Sequence, residues 1–217
     1  MREGVVASIL VFSGSTRAGS YNQRLADIAA CAAQAAGADV RLIGLKSYAL
    51  PVYDADFESD YGLVDNVLAL KQEFDRADGF LIAAPEHNAS IPAVLKNTLD
   101  WLSRPCDGET DLTLRCFRGK VAGLMTATSM ATGGASALAH VRQILTQLSV
   151  TVLPDQVRVP LAETAFDDHG LRDPALRGQV EALARQIVRL AAQAPPLEIA
   201  PFQAAPAPAW SSSSSAL

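Results

Sequence analysis

A short, almost unbroken apolar run, Gly79–Ala84, passes straight into Pro85-Glu86-His87-Asn88-Ala89-Ser90-Ile91-Pro92 and then into a helix-spaced segment, Ala93–Trp101. An apolar run of that length suits a central parallel strand covered on both faces. A polar, proline-bounded loop between such a strand and a helix sits where open α/β sheets bind ligands, outside the carboxyl ends of the strands. This junction therefore constrains the fold and locates a site at once.

The same arrangement precedes it. Val5–Phe12, rich in β-branched residues, leads into Gly14-Ser15-Thr16-Arg17-Ala18-Gly19-Ser20. Helical spacing follows over Asn22–Ala36 through Leu25, Ile28, Ala29, Ala32 and Ala36, with Gly37 as a stop. Asp39–Leu45 alternates as a second strand, and Ser47–Gly62 has no sustained period and reads as a long surface connection. Leu63–Arg76 is helical, Lys120–Ala127 is a fourth strand, and about Ala135–Leu148 is a helix introduced by Gly133-Gly134. Ser149–Val159 holds the last strand, with Pro154 marking an irregularity or an edge. Arg172–Ala192 closes the domain with Leu176, Val180, Leu183, Ile187 and Leu190 on one face. Ser90 is positioned to cap the helix that starts near Pro92.

Strands alternating with helices point to a parallel sheet with right-handed crossovers. Five strands fit an α/β, flavodoxin-like three-layer fold with a five-stranded parallel sheet in the order 2-1-3-4-5. In that order the loops after strands one and three become neighbours, and Thr128–Gly134 after strand four reaches the same edge. The domain spans residues 1–193, and 194–217 form a Pro/Ala/Ser-rich tail carrying Trp210.

Composition narrows the partners. The 217 residues carry a net charge of −5, with no basic run, which argues against a nucleic-acid surface. The first apolar run enters a glycine-rich loop directly, so it reads as a buried strand and not a signal peptide. No stretch has the length of a membrane helix. Cys31, Cys106 and Cys116 are too scattered for a metal site, and a reducing, cytoplasmic setting is the expectation, with Cys31 as a small core residue.

In the first loop, the hydroxyls of Ser13, Ser15, Thr16 and Ser20, the backbone near Gly14 and Gly19, and the Arg17 guanidinium can surround a phosphate at a helix N-terminus. Asn22 either caps that helix or meets the phosphate directly. The loop lacks the lysine of a Walker motif and is not a G-x-G-x-x-G fingerprint. In the second loop, Asn88 both donates and accepts, matching the edge of a heteroaromatic ring. Glu86 reads as loop support or as a partner of Arg or Lys. His87 can stack on a ring, face a partner subunit or lie exposed, while His140 and His169 read as structural or solvent-facing.

With Gly14–Asn22 and Pro85–Trp101 as they stand, the sequence resembles the NAD(P)H-dependent FMN reductase family, over about Val5 to Leu190. The resemblance implies that Ser15, Arg17, Ser20 and Asn22 hold the FMN phosphate. It implies that Pro85, Glu86, His87 and Asn88 border the isoalloxazine ring, with Ser90 and Ile91 nearby, and that Thr128, Ser129, Gly133 and Gly134 supply the third loop. NADPH or NADH would be the hydride donor, a small molecule such as free flavin, quinone, azo compound or metal oxyanion the acceptor, and a homodimer or homotetramer the assembly. Two positions depart from the family, which commonly has tyrosine at His87 and glycine at Ala89. A flavodoxin-type electron carrier and a non-redox flavin-binding protein are the alternatives.

Overall fold

The computed structural model describes residues 6–106 and 108–193; the Val5 end of the first expected strand, the tail and Trp210 lie outside them. Five parallel strands form the sheet: β1 (Ser8–Ser13), β2 (Asp39–Gly44), β3 (Gly79–Ala83), β4 (Val121–Ala127) and β5 (Thr151–Val159). Their order is 2-1-3-4-5, the flavodoxin-like order expected from the sequence. The helices are α1 (Tyr21–Ala35), α2 (Ala55–Tyr61), α3 (Asp65–Arg76), α4 (Ala93–Ser103), α5 (Ala135–Gln147), α6 (Ala162–Ala165) and α7 (Pro174–Gln193). A two-stranded hairpin, β6 (Phe166–Asp167) and β7 (Gly170–Leu171), precedes α7.

Alternation along the strands builds two cores. Ile9 and Val11 of β1 face α1 and α7, whereas Leu10 and Phe12 face α3, α4 and α5. β3 and β4 are buried along their whole length, which explains their lack of polar alternation. Pro154 falls where the β4–β5 register shifts between Ala122 and Leu124, on the sheet's outer strand. Arg142 of α5 donates to the exposed carbonyls of this irregularity, at 3.1 Å from Val152 O.

Four local expectations are corrected. Ser47–Gly62 contains α2, started by Asp54, whose carboxylate accepts from Asp56 N at 2.8 Å and Phe57 N at 3.2 Å. It has no sustained period because it buries no residue fully; its support comes from α4, where Trp101 Nε1 donates to Pro51 O. Cys31 is exposed, because α1 turns Leu25, Ala26, Ala29, Ala30 and Ala33 inward instead. Ser90 does not cap α4: Pro92 holds the N-cap position without a side-chain bond. Finally, α7 begins at Pro174 because Leu171 belongs to the hairpin and Asp173 accepts from Ala175 N at 2.8 Å.

Candidate functional site

The C-terminal ends of β1, β3 and β4 meet around a cavity of about 510 Å³. From the expected residues it gathers Ser15, Arg17, Ser20 and Asn22, then Pro85, Glu86 and His87, then Thr128 and Ser129. Asn88, Gly133 and Gly134 do not line it, and Ser90 and Ile91 face a second groove between α4 and α5. Tyr21, Val94, Ala127 and Glu163 line it without having been anticipated. Glu163 belongs to α6, a single turn after β5 that carries no sequence signal of its own.

The first loop is a staircase of hydroxyl turns. Ser13 Oγ accepts from Ser15 N at 3.1 Å, and Ser15 Oγ accepts from Arg17 N at 3.3 Å. Gly14 packs closely, since a Cβ there would stand 3.0 Å from Leu95 Cδ2 and 3.4 Å from Pro85 Cδ. The loop then enters α1 at Ser20, which makes no side-chain cap, and the first turn of α1 holds no acidic residue. The N–H groups at this helix start are thus open to an anion, and the helix partial charge favours one. Arg17 is exposed at the rim, its guanidinium 6.0 Å from the Tyr21 ring centroid.

Asn22 has a different task from the one its position suggests. Its side chain is buried and donates to Ala127 O at 2.7 Å while accepting from Ala127 N at 2.9 Å. The amide ties the start of α1 to the end of β4, which fixes its orientation at the cavity wall.

The second loop is a miniature hairpin. His87 and Ser90 exchange both backbone hydrogen bonds at 2.9 Å, with Asn88 at φ 50° and Ala89 at φ 57° between them. Two consecutive left-handed residues are the requirement of the tight primed turn, for which Asn suits the first position and Gly the second. Ala89 therefore holds the strained conformation that glycine would adopt freely. Glu86 supports the loop through a backbone partner and not through Arg or Lys: its Oε2 accepts from Ala137 N at 3.1 Å, in the first turn of α5. Ser90 Oγ lies 2.9 Å from Nδ1 of His140, also on α5. Gly133 and Gly134, both at positive φ, turn the third loop into α5; a Cβ on Gly134 would stand 2.7 Å from Thr126 Oγ1.

The strongly shifted titratable groups lie at the opposite edge of the sheet. Burial lowers the Lys120 amine to about 8 and raises the Cys116 thiol to about 11. Among the described residues there is no cluster of His, Cys, Asp or Glu suited to a metal ion, and no helix long and apolar enough to cross a membrane.

An uncapped helix start facing a hydrogen-bonded loop across one cavity fits a phosphorylated planar cofactor. Known proteins agree. The family described as NADPH-dependent FMN reductase matches residues 7–164. A quinone reductase of Escherichia coli is 36% identical over 146 residues, 67% of this chain and 72% of that protein. An NAD(P)H-dependent FMN reductase of Pseudomonas aeruginosa is 34% identical over 188 residues, covering 84% of this chain and 96% of its own. Among solved structures, the flavoenzyme NAD(P)H:(acceptor) oxidoreductase FerB of Paracoccus denitrificans superposes with a TM-score of 0.69 at 26% identity, covering 86% and 99% of the two chains. With the 2-1-3-4-5 sheet and the two loops brought together at its switch point, the chain belongs to the NADPH-dependent FMN reductase family, oxidoreductases that use FMN and NAD(P)H.

Proposed function

We propose that this enzyme reduces quinones and free flavins with NAD(P)H, through FMN held in the cavity between the first and second loops. The observation that carries this reading is the open N-terminus of α1, facing the 85–92 hairpin across that cavity. Ser15, Arg17, Ser20 and the backbone of Asn22 hold the phosphate. Pro85 and His87 border the ring, and Thr128 and Ser129 close the side nearest β4. Bound there, FMN supplies the hydride-accepting ring, so the protein contributes binding, orientation and electrostatics in place of a nucleophile.

Electrostatics sorts the two ends of the ligand. The first turn of α1 carries no acidic residue and no side-chain cap, whereas that of α5 is met by Glu86. The phosphate therefore belongs at α1 and the uncharged ring toward α5. His87 is exposed beside the cavity, where a planar acceptor can rest against it. The quinone substrate is favoured by the Escherichia coli relative, which is named for that activity.

Two further features complete the reading. The groove between α4 and α5, about 630 Å³ and floored by Ile91, Leu99, Ile144 and Leu148, is the face through which a homodimer or homotetramer forms. The three cysteines are free, consistent with a reducing cytoplasm. The test is steady-state oxidation of NADH and NADPH by FMN-loaded enzyme with a benzoquinone and with free riboflavin as acceptors. Acceptor-dependent turnover supports the reading; tight FMN binding without turnover favours an electron carrier.

A further inference from the structure

The ring-side loop is fastened to α5 at two points that the sequence does not connect. Near its start, Glu86 Oε2 accepts from Ala137 N at 3.1 Å. At its end, Ser90 Oγ pairs with His140 Nδ1 at 2.9 Å. Between them the backbone bonds of His87 and Ser90 make the loop one stiff unit, and Ala84 N donates to Met125 O at 2.8 Å, fixing its root to β4. The N-cap of α5 is Gly134, at φ 70°, with no side chain to offer and no acidic residue in the first turn of its own helix. Glu86 supplies from another loop the carboxylate that this helix start lacks.

We propose that Glu86 and His140 are positioning residues of the flavin-ring wall, locking the 85–92 loop onto the first two turns of α5. The lock fixes the distance between the wall and the third loop, and hence the width of the slot that receives the ring. It also directs one oxygen of the Glu86 carboxylate to a helix N-terminus. The Ser90–His140 link survives either tautomer of the imidazole, because a hydroxyl both donates and accepts. This rests on FMN occupying the cavity.

The test is flavin-fluorescence titration of the flavin-free protein with FMN and with riboflavin, in the wild type and in Glu86→Ala, Glu86→Gln, His140→Ala and His140→Asn. Glu86→Ala is expected to weaken both flavins about tenfold and in equal proportion, since the phosphate end is untouched. Glu86→Gln keeps a carbonyl acceptor for Ala137 N and retains affinity within about threefold of wild type. His140→Ala loses about threefold, His140→Asn restores it by placing an amide where Nδ1 stood, and adding Ser90→Ala to His140→Ala costs nothing more. Equal losses in Glu86→Gln and Glu86→Ala, with Ala137 amide exchange unchanged in Glu86→Gln, would mean that the charge acts on the flavin itself and would overturn the proposal. Unchanged affinity in both alanine variants overturns it as well. Should Glu86→Ala fail to fold, the exposed His140 pair decides by the same criterion. If wild-type protein fails to bind FMN, the cofactor placement fails instead. Amide exchange at Ala137 in flavin-free protein then still reads the lock, faster in Glu86→Ala and unchanged in Glu86→Gln if it exists.

Discussion

The side-chain amide of Asn22 pairs with both backbone groups of Ala127, 105 residues away, and so welds the start of α1 to the end of β4. The phosphate-side and third loops diverge from that weld. Removing the amide leaves a buried N–H and a buried C=O without partners, each costing about 1–3 kcal/mol. Asn22→Ala should therefore destabilise the flavin-free protein by about 2–4 kcal/mol, lowering the denaturant midpoint at unchanged slope. A shift below about 0.5 kcal/mol would show that water takes over both bonds.

Among the described residues Arg17 has no carboxylate partner, and it lies at the cavity rim, 3.3 Å from Ala18 O through Nη1. Its proposed task is a charge-assisted bond to phosphate. Arg17→Ala should weaken FMN about tenfold or more and leave riboflavin, which has no phosphate, unchanged. Equal loss for the two flavins in a fluorescence titration would place Arg17 at the ring instead.

Ala89 at φ 57° carries the left-handed penalty of about 1–2 kcal/mol, part of which a glycine's looser unfolded state returns. Ala89→Gly should raise stability by about 0.5–1 kcal/mol, read as a higher thermal midpoint. A lower midpoint would mean that the methyl group makes packing contacts outweighing the strain.

Stability should rise with pH just above 8. Lys120 donates to the final carbonyls of α3, at 2.8 Å from Asp75 O, with Asp75, Asp78 and Arg115 as its charged neighbours; burial lowers its pKa to about 8 from 10.5. Between those values the unfolded chain binds more protons than the folded one, so stability increases with pH. Cys116 acts in the opposite sense: burial raises it from 9.0 to about 11, so above 9.0 the folded state holds the extra proton and stability falls. The net expectation is a gain of about 1 kcal/mol from pH 8 to 9, then a plateau. Denaturant unfolding across this range checks it, and Lys120→Met should abolish the gain while Cys116→Ser extends it.

Most of the sheet is legible in the sequence because its information is local. Gly79–Ala84 is apolar throughout and Val121–Ala127 is apolar but for Thr126, and both runs become strands buried along their length. The helix boundaries of α1 and α4 fall within a residue or two of the spacing's prediction. What stays hidden depends on partners far along the chain. Ser90 has the residue type and position of a cap, yet His140 claims its hydroxyl. Asn22 stands in a phosphate motif, yet its amide serves β4. Helix α2 reads as loop because it buries no residue, and the segment before it is held at Pro51 O by Asn97 and Trp101 of α4. Cys31 reads as core in an alanine-rich helix whose apolar residues go nearly all the way round. The positive φ at Ala89, a structural finding, matches the glycine that the resembled family commonly carries there.

The central claim is that this cavity holds FMN where NAD(P)H can reduce it. Anaerobic titration of FMN-loaded protein with NADH and with NADPH tests it directly. The account predicts stoichiometric bleaching of the flavin absorbance by at least one nucleotide, and its recovery when a benzoquinone is added. Protein-bound FMN whose absorbance persists against an excess of both nucleotides would contradict it.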